Sequence, residues 1–348
     1  MKKRIQHIRL VALAGFLITL IACKKDDVKF IGPGVVYPPD GFNIESFSVS
    51  SENVNFESDS VVFNAFFSSS VSWVLTLSGK KSKAQYQMFG LSNKIDNLVW
   101  HGQHSGVFFF RTDEEVSAVL SFFGTNQQAT KSLTITQAAN FKKCGVFPLG
   151  GDFENDSQIA QPNWARFNSL NAEQGTASNI IDFAGNVVPP VQGNQYYYVR
   201  GLGAQTVFVD GIQFVGRGLS RVLPADANEV WVNIYVYGNG DANARLDMEM
   251  QEADADGTSI GYSGTDDDAF VATMILDHVG WKLFSFRYSD LVASANLDFG
   301  GSGNKIFEPN ELRSFVLVLL KINDPDSPVE AYFDYPIFTV GGPFVPCT

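Results

Sequence analysis

Short segments with a period of two dominate this chain, and almost nothing in it repeats at the helical period. Val71, Trp73, Leu75 and Leu77 alternate with Ser72, Val74, Thr76 and Ser78. One side of such a segment is apolar and the other largely polar, as a half-buried strand requires. Gly, Asn, Asp and Ser break these segments at short intervals, so the chain reads as all-β. Within residues 41–140 the pattern predicts strands at 60–67, 71–78, 107–112, 116–123 and 133–135. Within 144–347 it predicts them at 196–200, 207–214, 229–237, 245–252, 281–288, 315–322 and 331–340. A Trp in the strand pattern of the first region, at about 100 residues, suggests an immunoglobulin-like sandwich. Eight or so strands in the second fit a jelly-roll β-sandwich.

Two neighbouring segments carry the strongest functional signal. In the first, Val230, Val232, Ile234 and Val236 take one side, and Trp231, Asn233, Tyr235 and Tyr237 the other. In the second, Leu246, Met248 and Met250 oppose Arg245, Asp247, Glu249 and Gln251. The connection 238–243 is short enough for an antiparallel hairpin. Such pairing would bury both aliphatic rows and gather aromatic, amide and charged groups on one outer face. Aromatic planes suit the C–H faces of pyranose rings, and planar polar groups suit their hydroxyls. These eight residues are therefore expected to bind a polysaccharide or oligosaccharide.

The beginning of the chain constrains its location. Lys2, Lys3, Arg4 and Arg9 precede an uncharged run from Leu10 to Ala22. Thirteen residues fall short of the roughly 20 needed to span a bilayer, so the run reads as a signal-peptide core. It ends in Leu20-Ile21-Ala22-Cys23, which resembles the lipobox of bacterial lipoproteins. That resemblance implies cleavage after residue 22 and lipidation of Cys23, with a tether over 23–40. Lys24-Lys25-Asp26-Asp27 resembles the export tag of surface lipoproteins from polysaccharide-utilisation systems. The expected location is the outer membrane, lipid-anchored and facing outward, with an outer-membrane glycan importer as a partner.

Charge and cysteines narrow the field further. The formal net charge is −12, and loss of the four basic leader residues takes it to −16. So acidic a surface repels phosphate backbones, which argues against nucleic acid. With Cys23 lipidated, Cys144 and Cys347 remain at the two ends of the second region. In an oxidising compartment this pair suggests a disulfide clasp.

The C-terminal 200 residues resemble carbohydrate-binding modules of the galactose-binding-like jelly-roll class. The likeness rests on Asp152-Phe153-Glu154, on Gly280-Trp281-Lys282-Leu283-Phe284-Ser285-Phe286, and on Phe333-Asp334-Tyr335-Pro336-Ile337-Phe338. It implies a structural calcium held by Glu154 and Asp334, with Asp152 a further candidate; hard oxygen ligands suit that ion. The spacer modules of surface glycan-binding lipoproteins are similar in size and order to the first region.

Other clusters read as structure. Asp254-Ala255-Asp256-Gly257 and Asp266-Asp267-Asp268 lack a full calcium-loop ligand set and read as acidic turns. His101 and His104 lack a third ligand. No nucleophile elbow or phosphate-binding glycine motif occurs, so a non-catalytic binder without a catalytic cofactor is expected. A glycoside hydrolase or polysaccharide lyase is the alternative, because Asp247 and Glu249 share one strand side and glycosidases need two carboxylates. Against it, Arg245 beside them would hold both carboxyls low, where a general acid needs one raised. A protein-binding adhesin is the third reading.

Overall fold

The computed structural model describes residues 34–155, 164–167, 169–201, 207–215, 222–252, 268–293 and 304–347. Cys23 and its flanking leader, residues 254–257, 266–267 and Tyr262 lie outside them. The chain is all-β, as expected, with helical turns of three or four residues among the described residues. The described residues from Tyr37 onward belong to one compact unit.

The first region forms one sheet from β1 (Ile44–Val49), β2 (Asn53–Asn55), β3 (Val61–Gly79), β4 (Gln85–Trp100), β5 (Glu114–Phe122) and β6 (Gln128–Gln137). Residues 60–67 and 71–78, expected as two strands, run on as the single strand β3. Its first half lies between β1 and β4, and its second half between β4 and β5. The register slips between Phe66 and Val71, but the interruption spans an even number of residues. Phe63, Ala65 and Phe67 therefore point into the same cluster as Val71, Trp73, Leu75 and Leu77. Gly90 on β4 is required by this packing, because a Cβ there would stand 2.5 Å from the Trp73 ring. Two expectations need correction. Residues 107–112 are a connection rather than a strand, and β4 carried no expectation at all. Among the described residues it pairs only with β3, so its sides alternate largely between half-buried and exposed rather than apolar and polar.

The second region holds β7 (Trp164–Arg166), β8 (Ala172–Ala177), β9 (Ile180–Ile181), β10 (Val187–Val188), β11 (Tyr196–Gly201), β12 (Phe208–Val215) and β13 (Val230–Asn239). It continues with β14 (Ala244–Glu252), β15 (Asp268–Ile275), β16 (Val279–Arg287), β17 (Val292–Ala293), β18 (Leu312–Lys321) and β19 (Val329–Val340). One sheet has the order β16-β13-β19-β11-β8, the other β17-β15-β14-β18-β12-β7. Val230, Val232, Ile234, Val236, Tyr197 and Phe333 from the first meet Leu246, Met248, Met250, Phe315 and Leu317 from the second in one buried cluster.

The expected hairpin is therefore corrected. β13 pairs with β16 and β19, whereas β14 pairs with β15 and β18. The link between them crosses from sheet to sheet through Gly240, whose φ of +87° favours glycine. Both aliphatic rows enter the core as expected, but they face each other across the sandwich. That arrangement lets each row bury the other. The opposite sides of the two strands consequently point in opposite directions, out of the two faces of the sandwich.

A third cluster joins the two regions. Phe109 and Phe141 pack with Tyr235, Tyr335 and Phe344. Phe109 meets Tyr335 edge-on at 4.9 Å between ring centroids, and its N–H donates to Val191 O. A disulfide joins Cys144 to Cys347, with Cα atoms 5.6 Å apart.

Candidate ligand-binding face

The eight expected binding residues fall into two sets that no single ligand site combines. Of the β13 set, Asn233 is wholly buried and Tyr235 and Tyr237 nearly so. Asn233 donates to Ile337 O and Thr339 Oγ1 and accepts from the N–H of Phe344. Tyr237 lies edge-on to Trp281 and Tyr332 and donates to Asp182 Oδ2 at 3.1 Å. Trp231 is half-buried, with the Arg287 guanidinium 5.1 Å from its ring centroid. This tyrosine-rich surface, which also includes Tyr196 and Tyr332, is packed against Val188 and Val191 and, at Tyr235, against Phe109. Burial pushes the Tyr235 hydroxyl well up from its ordinary range. The alternation in 230–237 is as expected; both sides are buried, and the aromatic side seats neighbouring chain instead of ligand.

The β14 set lies on the outer side of the other sheet, and cross-strand register shows what surrounds each residue. Asp247 stands between Thr273 on β15 and Val318 on β18, Glu249 between Val271 and Val316, and Gln251 between Ala269 and Ser314. Gln213 on β12 lies beyond Val316. Both Asp247 oxygens are occupied. Arg245 donates from Nε to Oδ1 at 2.7 Å and from Nη2 to Oδ2 at 2.5 Å, and Thr273 Oγ1 donates to Oδ1 at 2.8 Å. Gln213 Nε2 donates to Gln251 Oε1 and Ser314 Oγ, and Ser314 Oγ donates to Gln251 Oε1.

Two groups on this face are left over. Glu249 has no hydrogen-bond partner among the described residues, although it is only 8 % exposed. Gln251 Nε2 is buried without a partner. Burial between two valines, and secondarily the Asp247 carboxylate, raises the Glu249 carboxyl above its ordinary value. Arg245 pairs with Asp247, and the Glu249 carboxyl is raised rather than held low as expected. Unpaired buried polar groups cost free energy unless something outside the chain completes them. Gln213, Thr273 and Ser314 were missed by sequence reasoning. They sit on three separate strands, and only strand pairing brings them beside β14.

The calcium expectation meets a mixed set of ligands. Asp334 is wholly buried; its Oδ2 accepts from the N–H of Val191 and Gln192, and its Oδ1 has no partner. Glu154 Oε1 accepts from the N–H of Asn194 and Gln195. Burial is the main cause raising both carboxyls; the charge of Asp152 adds to the rise of Glu154, and that of Glu154 to the rise of Asp334. A free oxygen beside a second carboxylate fits a hard cation. Asp152 does not, because its carboxylate is engaged by Lys142. The Arg111 guanidinium, which interacts electrostatically with Asp334 and Glu154, brings positive charge to the same place. Among the described residues no group of three or more His, Cys, Asp or Glu side chains could hold a metal ion. His101 and His104 do not converge on one either. His104 is buried, with Nδ1 2.8 Å from Gly106 O and its ring 4.1 Å from that of Phe109.

No family model and no curated protein matches this sequence. Among solved structures, a family 11 carbohydrate-binding module from Clostridium thermocellum, in complex with a β-1,3-1,4-mixed-linked tetrasaccharide, is 12% identical at a TM-score of 0.35. The match covers 54% of this chain and 92% of that one. A structure of carbohydrate-binding modules from the β-sandwich superfamily is 10% identical at a TM-score of 0.34, covering 85% and 97%. An arabinose-bound α-L-arabinofuranosidase is 8% identical at 0.33, with 57% of this chain matching 26% of that one. Likenesses this distant do not bear on function.

Proposed function

We propose that this chain is a surface-exposed lipoprotein that binds glycan non-catalytically on the outer face built around β14. The observation that carries the reading is a set of amide, hydroxyl and charged side chains on one strand face, in which Gln251 Nε2 has no partner and Glu249 makes no hydrogen bond to a described residue. Sugar hydroxyls both donate and accept, so they can complete a carboxyl and an amide N–H at once. Arg245, Asp247 and Thr273 hold one another in place, which lowers the ordering cost of binding. The acidic surface favours uncharged partners over nucleic acid. Lipidation at Cys23, an outer-membrane location and an importer as partner belong to this proposal. They are supported by the charged leader, its short core and the Leu20-to-Cys23 box. A structural calcium at Glu154 and Asp334 also belongs to it, supported by the unpartnered Asp334 Oδ1.

Affinity electrophoresis of the soluble chain against neutral and acidic polysaccharides, with reducing ends assayed in parallel, tests the binding role. Retardation without new reducing ends is the expected result. One observation favours the enzymatic alternative. Asp247 and Glu249 are two residues apart on one strand, so about 6.6–7 Å separates their positions, and only one of them is paired with Arg245. New reducing ends lost in Glu249→Gln would replace the binder with a glycosidase. Replacing Cys23 with Ala should abolish lipid labelling; persistent label would defeat the anchoring.

A further inference from the structure

The outer edge of β4 is unguarded where the other sheet edges are protected. A free strand edge invites pairing with another chain, and short length or charged side chains usually prevent it. Among the described strands, β2, β7, β9, β10 and β17 have only two or three residues. Of the longer edge strands, β1 carries Glu45, β8 carries Glu173, and β16 carries Lys282 and Arg287. β4 has 16 residues, and its later part carries Lys94 and Asp96. Its earlier part, 85–93, holds no charge and no proline. That stretch pairs with β3 on one side, from Gln85 opposite Ser78 to Ser92 opposite Val71. On the other side the N–H of Ser105 donates to Gln85 O at 2.8 Å and closes that end. No other described backbone group outside β3 bonds to the backbone of 86–93. Gly90 faces the Trp73 ring, so Phe89 and Leu91 point to the opposite, outer side. Phe89 is 76 % exposed and Leu91 48 %.

We infer that two copies of this chain associate edge to edge through β4, antiparallel about a twofold axis at Gly90, so that their two sheets run on as one. In that register Phe89 lies directly opposite the partner's Leu91, and Leu91 opposite the partner's Phe89. Both residues lie on the outer side of the joined sheet, so the pairing makes the same apolar cross-strand contact twice. A twofold contact of this kind is self-complementary, one patch serving both copies. Charge selects a second copy as the occupant. The chain carries a net charge of −12, so two copies repel one another over most of their surfaces. Along 85–93 they meet with no charge on either side. One added strand pair falls at the small end of interface sizes, below about 1,200 Å², so the dimer is weak and depends on concentration. Each copy offers one such edge, so association stops at two. The inference uses the first region alone and does not depend on the glycan reading.

The test is sedimentation equilibrium of the soluble full chain, carrying Cys23→Ser, from low micromolar to half-millimolar concentration. The average mass is expected to climb from monomer toward dimer and no further. Phe89→Lys and, independently, Leu91→Lys should each weaken association at least tenfold. Both side chains are exposed, so the melting curves of these variants should match that of the parent chain. Val279→Lys adds the same charge at an equally exposed position on β16 and should stay within about threefold of the parent. Register is read by mild oxidation. Phe89→Cys chains mixed with Leu91→Cys chains place two thiols opposite each other and keep the second Phe89–Leu91 contact, so the mixture should cross-link faster than either variant alone. A chain that remains monomeric throughout overturns the inference. So does Val279→Lys weakening association as much as Phe89→Lys and Leu91→Lys. Cross-linking of either cysteine variant alone as fast as the mixture overturns the twofold register at Gly90.

Discussion

His104 shows how burial sets the chemistry of a single residue. Its ring is packed against Phe109, Nδ1–H donates to Gly106 O, and Nε2 is buried without a partner. A proton on Nε2 would have no acceptor, and burial lowers the pKa from 6.5 to about 4. Below pH 6.5 the unfolded chain takes up this proton before the folded one does. Folding stability from this group is therefore complete above about 6.5 and declines as pH falls to about 4. The loss is at most about 3 kcal/mol. Other acids titrate in the same range, so the measurement is a difference: urea unfolding of wild type and His104→Gln at pH 7.5 and 4.5. The variant should lose less stability on acidification; equal losses would show that His104 is not buried as a neutral ring. At this scale the sequence was partly readable. A histidine with no third ligand nearby reads as structural, but its burial against Phe109 depends on packing between residues far apart in the chain.

At the scale of elements, β13 and β14 are the informative pair. Their alternation was legible, and so was the fate of Val230, Val232, Ile234, Val236, Leu246, Met248 and Met250, which all enter the core. What the pattern does not encode is whether the short link between them turns within a sheet or crosses to the other one. Both solutions bury the same rows, so periodicity alone cannot choose. The choice decides the site, because it sends Tyr235 and Tyr237 out of one face and Glu249 and Gln251 out of the other. The difference shows in stability. Tyr235→Ala should cost about 3–5 kcal/mol, the range for losing a large buried aromatic side chain. Trp231→Ala, at a half-buried position, should cost clearly less. Denaturant unfolding decides this, and equal small losses would mean that the Tyr235 side of β13 is open to solvent. β4 was illegible for a related reason: an edge strand with one partner need not bury either side fully.

Across the whole molecule, the two regions are joined by the cluster around Phe109, Tyr235 and Tyr335 and by the Cys144–Cys347 disulfide. The cysteine pairing could be read from position in the sequence. The shared cluster could not, since Phe109 and Tyr335 are brought together only by folding. In the chain-entropy account, closing a loop of this length stabilises by up to about 5 kcal/mol. Reduction should therefore lower the unfolding midpoint substantially, and an unchanged midpoint would deny the crosslink a role. The Arg111 charge of the first region acts first on Glu114 and also on Asp334 and Glu154 of the second. Because it already supplies positive charge, calcium should raise the melting temperature of wild type only slightly and that of Arg111→Met more. A ligand present at 100 times its Kd stabilises by about 2.7 kcal/mol. If chelator leaves both melting curves unchanged, the calcium proposal fails.

The central claim is that ligand binds on the β14 face and not on the aromatic side of β13. The most direct measurement compares glycan affinity of Gln251→Ala and Trp231→Ala with wild type by affinity electrophoresis, using whichever polysaccharide retards the wild-type chain. Gln251→Ala should weaken binding at least tenfold, about 1.4 kcal/mol, while Trp231→Ala stays within about threefold. The reverse order, with Trp231→Ala abolishing retardation and Gln251→Ala leaving it unchanged, would contradict the account and move the site to the opposite face.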